Sequence, residues 1–176
     1  MIIKHRALLN SKAVRLVLVL FCGFVSLSSF AQKYTVGVED IDYYPIYAKR
    51  GNEYSGFARE LLDGYAQSEG ISFEYKVLPI KRLFDDFLKQ KVDFKFPDSS
   101  YWKQDIKKGK NVNYSNSVLE YIDGVMVLPE NLNAGKGKLK KLGVVRGFTA
   151  WDYLSDVESG SIKIKENTSL SGLMKL

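Results

Sequence analysis

The chain has 176 residues, of which 45% are hydrophobic and 26% charged, enough for one domain or two small ones and unlike disordered or fibrous proteins. Its formal charge of +6 is concentrated at one end. Residues 1–31 hold Lys4, Arg6, Lys12 and Arg15 with no acid, leaving 22 basic against 20 acidic residues, too balanced for a dedicated nucleic-acid binder.

Residues 1–31 read as a secretory signal peptide. The basic start is followed by an apolar run of ten at 16–25, about half of the ~20 residues a bilayer span needs. Ser29-Phe30-Ala31 then offers small residues where a signal peptidase reads, so cleavage is expected before Gln32 and the location is periplasmic. The short run and clean site disfavour an uncleaved anchor, and bulky Phe21 disfavours a lipid-modified Cys22. Cys22 and His5 are the chain's single Cys and His, and both leave with the signal. The remaining 145 residues then have no disulfide, thiolate or imidazole. That excludes Ser-His-Asp and Cys-His catalysis and any zinc site requiring His or Cys.

Residues 33–38 (Lys-Tyr-Thr-Val-Gly-Val) are β-branched and aromatic and predict a strand, followed by an acidic, Tyr-rich loop. Phe57, Ala58, Leu61, Leu62, Tyr65 and Ala66 fall on one helical face, entered at Ser55-Gly56 and stopped near Gly70. Residues 71–78 form a second strand. Pro79 then opens a helix striped by Ile80, Leu83, Phe84, Phe87 and Leu88. Residues 92–96 make a third strand, ended by Pro97-Asp98-Ser99-Ser100, and 111–115 and 121–128 predict further short strands. Alternating strands and helices imply an α/β architecture with a mostly parallel sheet, whose ligands bind beyond the carboxyl ends of the strands.

Residues 129–141 are polar, basic and Gly-containing, a linker between a first lobe (32–128) and a second (142–176). In the second, 142–145 and 162–165 predict strands. Thr149-Ala150-Trp151-Asp152 fits a capping pattern opening a helix over 149–154, and 168–176 starts another. Two strands and an unfinished helix are too little to close a core, so the second lobe reads as incomplete and the sequence as truncated or a fragment.

The candidate site residues lie in loops and at element ends. Arg146, Gly147 and Thr149 lie where a strand, a turn and a helix start would present N–H groups and a cation to an anion; ordinary capping beside a surface Arg is the alternative. Arg82, in the first turn of its helix, is suited to gripping a carboxylate or phosphate, or to solvation. Tyr43, Tyr44, Tyr101, Trp102 and Tyr121 offer rings with polar tips for a small-molecule pocket or for packing. Asp98, Ser99 and Asp123 could orient a ligand amine or hydroxyl. Asp85 and Asp86, adjacent on a helix, point apart and are not a catalytic pair.

These features together resemble the family 3 extracytoplasmic solute-binding proteins of ABC importers, the polar amino-acid binders among them. The resemblance runs through Tyr34–Val38 as the first strand, Tyr43-Tyr44-Pro45-Ile46 as the aromatic-Pro loop and Tyr54-Ser55-Gly56-Phe57 as the helix entry. It continues through the Leu83 to Asp93 helix and strand, Asn113-Tyr114-Ser115-Asn116, and Leu142 to Gly147 with Thr149 as the start of the second lobe. It implies a two-lobed periplasmic-binding-protein-like fold closing on a small polar or anionic solute, with Tyr44 on the ligand and Thr149 at its anionic end. It further implies delivery to a membrane ABC permease by a monomer that is not an enzyme and needs no cofactor or metal. Amino-acid binders of the family carry an Arg soon after the third strand; residues 97–108 contain none. That turns attention to Arg82 and Arg146 and to a different solute. The alternatives are a ligand-sensing module of a receptor, or a periplasmic dehydratase or lyase on the same scaffold using a cleft carboxylate.

Overall fold

The computed structural model describes residues 31–51 and 53–175; the expected signal peptide lies outside them but for Ala31. Gln32–Leu176 forms one compact unit. Among the described residues no helix is long and apolar enough to cross a membrane.

The main sheet has three strands, all parallel. Strand β1 (Lys33–Glu39) lies centrally, paired along its length with β4 (Ser72–Leu78) on one side and with β5 (Phe94–Phe96) on the other. A central parallel strand must be apolar on both faces. Val36 and Val38, fully buried, join Phe73, Tyr75, Val77 and Phe96 in one cluster beneath helix α1 (Phe57–Glu69). The opposite face meets helix α2 (Ile80–Leu88). There Gly37 is required by space, because a Cβ would collide with Leu83 and come within 3.1 Å of Val92. Leu83 is itself fully buried, worth roughly 1.5–3 kcal/mol for a side chain of that size.

Helix boundaries follow the sequence signals. Gly70 ends α1 at φ 65°, its N–H returning to the carbonyls of Ala66 and Gln67. Pro79 is the residue from which α2 springs, and the Ile80, Leu83 and Phe84 stripe is the buried face. The Tyr-rich loop after β1 holds more order than expected: β2 (Ala48–Arg50) and β3 (Glu53–Ser55) pair as an antiparallel hairpin. Each is only three residues long, too short to show a period. Tyr47, just before β2, and Tyr54 of β3 stack at 6.2 Å, and Tyr54 stacks on Tyr75 at 5.4 Å, so these rings build the core.

The strands expected at 111–115 and 121–128 are corrected. Neither stretch forms a β-ladder with any described residue, and both are irregular. A strand is stabilised by its ladder, and without one a β-favouring composition is insufficient. Ile122, Met126 and Leu128 stay exposed in consequence. Short helix α3 (Gln104–Lys107) precedes this segment, and 3₁₀ turns at Pro129–Asn131 and Lys136–Lys138 interrupt the expected linker.

Strands β6 (Lys141–Val145) and β7 (Lys163–Asn167) form a second parallel pair over a cluster of Leu142, Val144 and Ile162. The helix expected over 149–154 begins later, as a 3₁₀ turn at Trp151–Tyr153 running into α4 (Leu154–Glu158). Thr149 does not cap it; the cap position is Ala150, and the Thr149 hydroxyl has no partner. Ser169 does cap the closing helix α5 (Leu170–Leu173), accepting the Gly172 N–H at 3.1 Å.

Candidate functional site

Parallel pairing decides which side chains reach the α2 side of the sheet. Lys95 lies in register with Gly37, while its neighbours Phe94 and Phe96 pair with Val36 and Val38 on the opposite face. Lys95 therefore points toward α2. Its ammonium lies 4.1 Å from the Phe84 ring centre, 5.8 Å from that of Trp102 and 3.5 Å from Asp98 Oδ1, and it donates to the Pro97 carbonyl. The side chain is 1% exposed. Burial pulls its pKa below the ordinary lysine value, against the opposing charges of Asp98 and Glu39.

Asp98 is shared. Lys107 donates to it at 2.9 Å, and also to the Ser99 carbonyl at 2.8 Å and the Tyr114 hydroxyl at 2.7 Å. Three acceptors satisfy the three protons of one ammonium. The Ser99 N–H closes on Asp98 Oδ1 at 2.9 Å. Glu39, at the carboxyl end of β1 and buried, accepts the Tyr47 hydroxyl at 2.9 Å. Burial raises its pKa, offset in part by Lys95 and by the Tyr47 hydrogen bond. Two carboxylates and two ammonium groups thus gather at the carboxyl ends of β1 and β5, next to where ligands of such sheets bind.

The turn after β6 rests on this region. Gly147 has φ 92°, and a Cβ there would lie 2.8 Å from the Lys81 amide nitrogen and 3.2 Å from Ile80. Val145 joins Ile80 and Phe84 in one buried cluster, with Phe148 and Trp102 packed against it. Beside it Tyr101 and Trp151 meet with ring centres 5.2 Å apart. The result is a seam between α2, the loop after β5 and the turn after β6. Thr149 belongs to that turn; it is 9% exposed and its Oγ1 is buried without a hydrogen-bond partner.

Of the residues singled out from sequence, Asp98, Ser99, Tyr101, Trp102, Gly147 and Thr149 contribute to this seam or its immediate flanks. Tyr43 packs edge-on to Tyr47, and Tyr44 lies exposed beneath the Arg50 guanidinium at 4.8 Å. Arg82 is 3.9 Å from Asp86, and Arg146 is 3.7 Å from Glu166; both side chains are well exposed. Buried Asp86 also faces Lys76 and Lys91. Burial alone would raise its pKa, but the Lys76 hydrogen bond and the charges of Lys91, Lys76 and Arg82 hold it below the usual carboxylate range. Partial burial and the charge of Asp152 raise Asp123. Tyr121 packs against Trp102 with ring centres 5.6 Å apart and planes tilted by 58°.

Sequence reasoning missed Glu39, Lys95, Lys107 and Phe84. A lysine between two phenylalanines in a strand was the available signal for Lys95. An open depression beside Lys107 is lined by Ser100, Gln104, Lys107, Lys108, Lys110, Val112 and Tyr114. Among the described residues no group of three His, Cys, Asp or Glu side chains could hold a metal ion.

No protein-family profile matches the chain, and no curated protein does. Solved structures share its fold. An ancestral arginine-binding protein bound to arginine superposes with a TM-score of 0.57 at 21% identity, over 81% of this chain and 64% of that one. The AvGluR1 ligand-binding domain in complex with glutamate gives 0.57 at 18% identity, over 82% and 64%. The chain therefore spans just under two thirds of the length of these structures. Parallel sheets flanked by helices, followed along most of the chain by both superpositions, give this protein the two-lobed periplasmic-binding-protein-like α/β fold.

Proposed function

We propose that the protein is a secreted, family 3-type solute-binding protein that holds a small polar solute at the seam between the loop after β5 and the turn after β6. It releases the solute unchanged to a membrane ABC permease and acts as a monomer. The observation that carries the reading is the Thr149 hydroxyl, buried and unpartnered beside that seam. An unsatisfied buried hydroxyl costs about 1–3 kcal/mol, a cost that a bound solute hydrogen-bonded to it would offset. The fold shared with an arginine-binding protein supports the reading. The fold shared equally with a receptor ligand-binding domain favours a second one, in which the same module senses its solute for a receptor.

The test is a thermal-shift screen of the purified protein against pools of polar solutes. A true ligand present at about one hundred times its Kd adds about 2.7 kcal/mol of stability. Thr149→Val should lose that response while remaining folded, and Arg82→Ala and Arg146→Ala report whether either guanidinium takes part. A ligand that stabilises native protein and Thr149→Val equally would remove Thr149 from the site. No response to any pool would defeat the binding reading.

A further inference from the structure

An aromatic face beside a carboxylate is a common seat for the ammonium group of a ligand. The seam contains such a seat, and the chain fills it. Lys95 Nζ lies 4.1 Å from the Phe84 ring centre, 5.8 Å from that of Trp102 and 3.5 Å from Asp98. Asp98 has little capacity left for a second ligand. Lys107 lies 2.9 Å from each of its oxygens, and the Ser99 N–H takes Oδ1 at 2.9 Å. Lys107 is fixed in turn by the Ser99 carbonyl and the Tyr114 hydroxyl. The remaining carboxylate, Glu39, is held by the Tyr47 hydroxyl and feels the charge of Lys95. An incoming ammonium would find both carboxylates already engaged and two resident ammonium groups beside them, in a region sheltered from water where like-charge repulsion is poorly screened.

Resting on the solute-binding reading above, we propose that the solute held at this seam carries no ammonium group, because Lys95 occupies the seat such a group would take. Binding then falls to amine-free acids or uncharged polar molecules, for which the unpartnered hydroxyl of Thr149 remains available.

The experiment uses matched probes on the purified protein: glutamate against glutarate, aspartate against succinate, leucine against 4-methylpentanoate, with a panel of neutral sugars. The expected result is stabilisation by an amine-free acid or a sugar, at a concentration tenfold or more below that required of any amine-bearing probe. Lys95→Met, which empties the seat with little change in length, should narrow that ratio. The native ranking decides the matter even if this variant does not fold. An amine-bearing probe binding as tightly as its partner overturns the proposal and leaves the solute-binding reading standing. If no probe and no solute pool stabilises the protein, both fall together.

Discussion

Lys107 and Asp98 form an ion pair at 2.9 Å in which both side chains are only 8% exposed. Removing one member of such a pair leaves an uncompensated buried charge, a far larger effect than losing a surface pair. Asp98 would keep Lys95 at 3.5 Å and the Ser99 N–H, so Lys107→Met is expected to lower unfolding free energy by less than the about 3–5 kcal/mol of a wholly unpaired buried charge, yet by well over the about 0–1 kcal/mol of a surface pair. Lys108→Met, at the exposed neighbour, should fall within about 0.5 kcal/mol of native. Urea denaturation of both variants checks this; equal small losses would show that Asp98 does not depend on Lys107.

Gly147 touches α2 so closely that its lack of a side chain is structural. Gly147→Ala combines a left-handed backbone with a Cβ 2.8 Å from the Lys81 amide nitrogen. Gly135→Ala has the same sign of φ, at 78°, with nothing within 4 Å. The control measures backbone strain alone, of order 1–3 kcal/mol, and the excess for Gly147→Ala measures the close approach. Chemical unfolding should show Gly147→Ala as clearly the more damaging; equal losses would mean the turn does not press on α2.

Thr149→Val is nearly isosteric and deletes a buried hydroxyl that has no partner. Without solute it should be neutral or stabilising by up to about 1 kcal/mol. A loss exceeding 1 kcal/mol in the same denaturation assay would reveal a partner for the hydroxyl in solution.

Glu39 gives a pH dependence of definite sign. Its pKa is raised above the ordinary 4.5, chiefly by burial, so the folded chain keeps this proton to higher pH than the unfolded chain. The associated stability is fully present below 4.5 and is lost as pH rises through the folded-state value. Relative to Glu39→Gln, native protein should therefore lose stability as pH increases above about 4.5. Comparing the two in thermal unfolding between pH 4 and 7 cancels most other carboxylates, and a difference that grows in favour of native protein would contradict the burial effect.

Local signals located most of the elements. Pro79 and the stripe through Phe84 placed α2, Gly70 ended α1, and the β-branched residues from Lys33 onward marked the central strand. The segment 121–128 has equally β-favouring residues, yet a strand needs a partner, and its own residues carry no information about one. The capping pattern at Thr149 misled for a related reason: the turn at Gly147 is fitted against α2, and the helix starts two residues late.

The sequence by itself determined the alternation of strands and helices, and with it the α/β class. Periodicity, Gly and Pro act within a few residues of one another, so they can be read locally. Only the tertiary structure decided that Lys95 and Lys107 meet Asp98 and Glu39, that Gly147 meets Lys81, and that the Thr149 hydroxyl is left over. Burial and charge pairing depend on what arrives from distant parts of the chain, and the register of β5 on β1 turned a lysine flanked by phenylalanines toward the seam.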